Sequence, residues 1–474
     1  LKRLAMGMMQ GDDMGKQRDR GSGGLLISGG IVVTMNPERT IFRKGAILIK
    51  EDKIEAVGTS EEMEARYRDA VRFDAGNRLI LPGFIDTHVH LSEHIVRSLI
   101  PDDAPDWMSR WLMPVYANLS PEDEHTSAML AFIEMAKTGT TTFCEAGTCI
   151  NPEAAVEALQ KTGLRGILGR WTWDLPPTPE RMRQTTDEAL KANEHFLGIV
   201  RKLSNDRITA WPLILGMGTA SEQLMKEAKA LADRSGAGMG MMHASSIPSL
   251  ETRETIQSLR QFETWGLLGP NLKLTHMVYV DDDDINLLKS YNVKISHCPT
   301  AAMKHCKGLT RYGKFPEMVE KGVCVSLGAD SANGSDHINM LRIMNLVAAF
   351  YKDVHMKASI LPAETVLEMA TIRGAEALLL EKQIGSIEPG KQADLVLFDL
   401  DHPEWRPLLN IPGSLVYSAS GRSITTVFVG GRMVLENGRM SNLDEEEIYR
   451  SADELSLKLL RKANLTLPSR WPLI

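Results

Sequence analysis

At 474 residues the chain is too long for one ordinary compact domain unless that domain is a barrel with additions. Hydrophobic residues make up 43% and charged residues 24%, the balance of a soluble globular protein, and a net charge of −7 excludes a general attraction to nucleic acid or anionic membranes. No apolar run reaches the roughly 18 residues of a membrane span. The longest, "NMLRIMNLVAAFY", is broken by Arg342 and reads as a buried helix.

Residues 1–24 open with a basic stretch and an apolar segment too short for a signal peptide, then end in a Gly/Ser hinge. They read as a flexible tail. Five cysteines, an odd and low number for this length, point to reduced thiols and a cytoplasmic location. Cys144 and Cys149 are spaced closely enough to pair, but two free thiols are expected.

Short strand patterns fill residues 25–80, with "AILIKEDKIEAVG" as a hairpin turning at Glu51 to Lys53. The pattern returns in "GKQADLVLFDL" and "ITTVFVGGRMVLENG", where Gly430 and Gly431 supply the positive φ angles of a tight hairpin. The two ends therefore form one small β-sandwich domain, from 25–80 and 383–440. Between them, over 81–382, strands alternate with helices. The strands fall at 81–90, 139–146, 165–171, 208–217, 237–244, 271–278, 292–298 and 322–330. Segments such as "SPEDEHTSAMLAFIEMAKTG" carry a Ser/Pro start, helical apolar spacing and a glycine stop. Eight alternations indicate an α/β chain folded as a (β/α)8 TIM barrel, with a doubly wound sheet as the alternative from pattern alone. Residues 441–474 read as a C-terminal helical tail.

In such a barrel chemistry sits at the C-terminal ends of the strands. "LPGFIDTHVHL" ends the first strand with His88 and His90, two residues apart and so on one face of a regular strand. "GMMHASS", "KLTHMVY" and "KISHCPT" end later strands with His243, His276 and His297, and "SLGAD" places Asp330 at the mouth. One histidine at a strand end is more often structural than a ligand. Five histidines and an aspartate on one rim are hard to bury without a compensating partner, and a divalent metal is that partner.

These motifs, with the split β domain closing in "IGSIEPGKQADLVLFDL", resemble the amidohydrolase superfamily over nearly all of residues 25–470. Within it the chain is most similar to the branch of cytosine and guanine deaminases and triazine hydrolases. "DWMSRWLMPVYANLSPED" and "LLRKANLTLPSRW" add to the likeness. The resemblance implies one divalent ion per chain (zinc, iron or cobalt) bound by His88, His90, His243 and Asp330. It implies that the ion activates water, that His276 touches this water or the substrate oxygen, and that Asp330 shuttles protons. No lysine ends "ITAWPLILGMG", so the bridging lysine of two-metal relatives has no counterpart.

The pattern breaks on the substrate side. The deaminases carry a glutamate three residues after the fifth-strand histidine, but here His243-Ala244-Ser245-Ser246 puts a serine there. A hydroxyl cannot replace a carboxylic acid in protonating a heterocycle near neutral pH. In "HCPTAAMKH", Ala301 and Ala302 stand where the deaminases commonly keep a Ser-Asn pair. Retained metal ligands with altered substrate contacts imply hydrolysis of a C–N bond at an acyclic carbonyl of a small apolar molecule. An N-substituted urea, carbamate, thiocarbamate or amide qualifies, as in the phenylurea and thiocarbamate (molinate) herbicide hydrolases. The alternative is a deaminase or dechlorinase of a nitrogen heterocycle such as a triazine, purine or pterin. A non-catalytic scaffold is disfavoured because every expected ligand is present.

His297 is the best replacement for the lost glutamate, while Cys298 reads as packed and Lys304 and His305 as exposed. Trp107, Trp111 and Met113 line an apolar pocket or a core stripe. Ser246 and Asn333 complete the expected substrate side, although Asn333 and Asp336 also fit a role in capping the next helix and orienting Asp330. The expected partners are a small-molecule substrate and further copies of the chain in a homo-oligomer, with no nucleic acid and no membrane.

Overall fold

The computed structural model describes residues 23–102, 104, 106–147, 150–176, 180–216, 218–244, 258–467 and 471–472. Nearly all of the expected tail, together with Cys149 and Ser246, lies outside the described residues.

Strands from both ends of the chain join in one nine-stranded sheet, where two facing sheets are expected. Leu25–Val33 pairs antiparallel with Ile41–Lys50, and that strand with Lys53–Thr59, giving the expected hairpin with Glu51 in the left-handed region at φ 52°. Arg78–Pro82 connects the two ends, lying parallel to Leu25–Val33 and antiparallel to Leu395–Asp399. Ile424–Val429 and Arg432–Glu436 form the second hairpin, with Gly430 and Gly431 at φ 53° and 69°. Two positive φ angles in a two-residue turn match the twist of the flanking strands.

The middle of the chain forms two parallel arcs instead of one continuous ladder. Five strands run in the spatial order Ile208–Ala210, Arg165–Leu168, Thr140–Glu145, Phe84–His90, Asp330–Ser331. Six run in the order Cys324–Leu327, Lys294–His297, Leu272–His276, Met239–His243, Leu213–Gly216, Trp171–Thr172. Three expected strands are interrupted, at 169–170, 211–212 and 328–329, and each contributes to both arcs. Pro212 has no N–H for a ladder. At Gly328 a Cβ would meet Ser296 Oγ at 2.7 Å and both Cys298 Sγ and His88 Cβ at 2.9 Å, so only glycine fits.

The helices follow their start signals. Pro121–Lys137 is capped by Ser120, whose hydroxyl and Asp123 form a reciprocal capping box. "NMLRIMNLVAAFY" lies mostly in the helix Met340–Val354, capped by Asn339. The C-terminal helix Glu445–Lys462 packs Leu455 and Leu459 into a cluster with Trp111, Trp171 and Trp173 near the strand ends. Among the described residues, no helix is long and apolar enough to cross a membrane. Cys144, Cys298, Cys306 and Cys324 carry free thiols.

A buried ion pair ties the nine-stranded sheet to the arcs. Arg165 Nε donates to Asp394 Oδ2 at 2.9 Å, and Asp394 Oδ1 also accepts from the Gly430 amide at 2.7 Å. Asp394→Ala would leave the guanidinium buried without its partner. We expect destabilisation of about 3–5 kcal/mol, read from the urea midpoint; a loss below about 1 kcal/mol would show that the pair is not structural.

Candidate active site

The first strand of the site does not run straight. Pairing with Thr140–Glu145 shifts register between Asp86 and Val89, where Thr87 and His88 stand opposite the single residue Cys144. An extra residue of this kind re-aims the side chains around it. Thr87 consequently reaches across the interior, its hydroxyl within 2.7 Å of Ser296 Oγ and 2.9 Å of Ser326 Oγ, while also donating to the Leu327 carbonyl at 2.8 Å. The buried Lys273 donates to the Thr87 carbonyl and to Cys144 Sγ at 3.4 Å. Asp86 Oδ1 accepts from the amides of His88 and Ala329, linking the backbone at the histidines to that just before Asp330. Burial pushes the Asp86 carboxyl up to about 7.

His88 and His90 converge as the sequence spacing predicts, with ring centroids 5.0 Å apart. His88 Nδ1 lies 3.2 Å from Thr275 Oγ1, which orients the ring and leaves Nε2 buried with no hydrogen-bond partner. Asp330, paired through its strand with the His90 strand, places Oδ1 3.2 Å from His90 Nε2 and Oδ2 3.9 Å from His276 Nε2. Burial raises the Asp330 carboxyl, but the His90 hydrogen bond and the surrounding histidines outweigh it and hold it well below the usual carboxylate range. Asp330 and His276 both occupy the left-handed region, at φ 68° and 78°. Such conformations cost about 1–3 kcal/mol each outside glycine and gather at functional sites.

Donor atoms of His88, His90 and Asp330 lie within 4.8 Å of one another, all buried. A carboxylate facing imidazole nitrogens of His90 and His276, beside the unpartnered Nε2 of His88, is a donor set that a divalent cation satisfies. The residues fit the expected ion.

The other expected residues are placed less simply. His243 ends its strand in register with His276, but its ring packs on Phe262 at 4.8 Å and it joins no donor group among the described residues. His297 stacks on Phe315 at 3.6 Å and has Nε2 3.0 Å from the Tyr351 hydroxyl, so packing accounts for its ring. Asn333 Oδ1 accepts from the Leu99 amide, and Asp336 pairs with Lys304; it is Asn339 that caps the following helix. Trp107 stacks on His305 at 4.5 Å, bringing together the loops after two strands, and Trp111 is buried in the tryptophan cluster.

Two residues near the donor group escaped the sequence reading. Glu93, three residues after His90, is buried, accepts from the Tyr116 hydroxyl and from Ser331, and lies 3.9 Å from His90 Nδ1. A carboxylate so soon after a paired-histidine strand was a readable signal. Lys307 is half-buried with its charge felt by Asp330 and His276, and its loop position offered none.

The amidohydrolase family profile matches residues 79–434, three-quarters of the chain. The chain belongs to the amidohydrolase family. It is therefore an enzyme acting on carbon–nitrogen bonds. An imidazolonepropionase-like composite domain of bacteria also matches residues 45–70. This amidohydrolase is 31% identical to the 5'-deoxyadenosine deaminase of Methanobrevibacter smithii, across 86% of this chain and 92% of that one. It is also 31% identical to the 5-methylthioadenosine/S-adenosylhomocysteine deaminase of Thermodesulfovibrio yellowstonii, across 89% and 95%. Among solved structures, an adenosine deaminase from Xanthomonas campestris with bound zinc matches with TM-score 0.85 at 23% identity, covering 92% of this chain and 99% of that one. Atrazine chlorohydrolase from Arthrobacter aurescens TC1, complexed with zinc, matches with TM-score 0.83 at 20% identity, covering 91% and 100%. These structural likenesses are of fold.

Proposed function

We propose that this amidohydrolase holds one divalent ion on His88, His90 and Asp330, completed by His243, and hydrolyses a C–N bond of a small molecule. The convergence of three buried donors around the unpartnered His88 Nε2 carries the reading. An ion held by these residues would supply Lewis acidity and would lower the pKa of water beside it toward neutrality. Asp330, held deprotonated, accepts a proton from the attacking water and returns it to the leaving nitrogen. His276 is placed to hydrogen-bond the reacting oxygen. Zinc, iron and cobalt all suit this donor set, and the zinc in the two structural neighbours supports zinc first. We read the two arcs as one (β/α)8 barrel over 81–382, flanked by a small β domain from 25–80 and 383–440. The free thiols support a cytoplasmic home.

The substrate class divides two ways. The relatives favour amine release from a nitrogen heterocycle, with adenine nucleosides altered at the 5' position as the leading class. This is the first reading, and it displaces the acyclic carbonyl from that place. One observation keeps the second reading. Serine at 246 stands where the deaminases resembled here carry the carboxylate that protonates the ring. An N-substituted urea, carbamate or thiocarbamate needs no such protonation.

Purified enzyme assayed against 5'-deoxyadenosine, an aminotriazine, N-aryl ureas and thiocarbamates separates the two. Turnover of the aminated ring establishes the first reading, and turnover of the carbonyl compounds alone the second. No turnover of any of them by ion-loaded enzyme would overturn both. Ser246→Glu is expected to raise amine release from the ring by about 10²–10⁴-fold, the usual contribution of a general acid, and to depress any carbonyl hydrolysis. An unchanged ratio between the two panels would show that residue 246 does not select the substrate.

A further inference from the structure

Cys298 follows His297 in sequence but belongs to different surroundings. Its thiol is buried and lies with donor atoms of His276 and Asp330 in a second group, all within 4.8 Å of one another. The glycine at 328 makes the room: a Cβ there would come within 2.9 Å of both Cys298 Sγ and His88 Cβ. The thiol is thus packed against the metal-binding strand. Asp330 belongs to both groups, turning Oδ1 toward His90 and Oδ2 toward His276. A carboxylate with its oxygens facing two imidazole sets has the arrangement of a bridging ligand. His276 Nδ1 is buried without a hydrogen-bond partner.

We propose that His276, Cys298 and Asp330 form a second ion position, of thiolate character, for a soft or borderline divalent cation such as Cd²⁺, Zn²⁺ or Co²⁺. It rests on the reading that the first ion sits on His88 and His90, with Asp330 shared between the two. Binding breaks the thiol S–H bond, forms a sulfur–metal bond and releases the proton to the buffer. Thiolate selects this class of cation over Mg²⁺ or Ca²⁺, which prefer oxygen donors. Lys307, whose charge acts on both Asp330 and Cys298, opposes a second dication. The position therefore fills after the first and only in excess metal. Filling it withdraws His276 and Asp330 from proton handling, so excess soft metal inhibits an enzyme that one equivalent activates.

The test is a titration of the isolated holoenzyme with Co²⁺, following bound metal, activity and the near-ultraviolet charge-transfer absorption of a cobalt–thiolate bond. Expected are a second equivalent carrying that absorption and inhibition in parallel, and no such effect from Mg²⁺. Cys298→Ser is expected to lose the second equivalent and its absorption while keeping the first, which also shows that the variant is folded. Cys298→Ala serves the same purpose if the serine disturbs packing. Lys307→Met is expected to tighten the second equivalent about tenfold, one charge near two ligands being worth about 1.4 kcal/mol. A single equivalent without the absorption overturns the second position and leaves the first. A single equivalent that itself carries the absorption overturns both. Absorption persisting in Cys298→Ser assigns it to another thiol and overturns the proposal.

Discussion

Replacing His88 with alanine is expected to remove bound metal and activity together. Thr275 holds the Nδ1 side of the ring, and the buried Nε2 meets no other protein atom as a hydrogen-bond partner, so ion binding is what the ring is arranged for. Loss of a residue that merely supports a ligand commonly costs 10–100-fold in metal affinity. Loss of the ligand itself should exceed about 100-fold and bring turnover close to the uncatalysed rate. Metal content after dialysis, with kcat on the same sample, measures both. The fold should survive, because the substitution deletes an unsatisfied polar atom along with its ring. A His88→Ala protein that retained its ion and full turnover would refute the site.

Asp330→Asn separates proton handling from ion binding. An amide oxygen can still approach the ion, but it cannot accept the proton of the attacking water. Turnover is expected to fall by about 10²–10⁴-fold, with metal affinity reduced far less. The backbone will tolerate the change: Asp330 sits at φ 68°, a region asparagine enters as readily as aspartate. A variant with its ion bound and near-normal kcat would show that another group carries the proton.

Residue types at strand ends made the centre legible before any coordinates. His88, His90 and Asp330 meet where the barrel pattern puts them, and the glycine pair at 430–431 turns the hairpin as its φ angles require. What failed was side-chain direction. His297 ends a strand like its neighbours, yet its ring stacks on Phe315 and reaches Tyr351, because Ser296 before it faces the interior toward Thr87 and the next side chain alternates to the other face. The bulge after Asp86 changes the alternation ahead of the histidine pair, although His88 and His90 still converge. The interruption at Pro212 was readable in principle, since proline cannot donate to a ladder, but the run "ITAWPLILGMG" hides it among apolar residues. Substrate choice was undecidable for another reason: it turns on a single side chain at 246 set against likeness over the whole chain.

The strand pairing of Asp330 with the strand of His90 has a consequence for how the enzyme matures. The two histidines leave the ribosome early, while the carboxylate that faces them arrives with the last strand of their arc. His276 arrives between them and belongs to the other arc. A chain that stops short of residue 330 lacks the one carboxylate of the donor group and the strand that carries it beside His90. On the proposed site, full metal affinity would require synthesis past residue 330 and pairing of the Asp330 strand with that of His90. An ion held there would add its binding energy to the fold only once the fold exists.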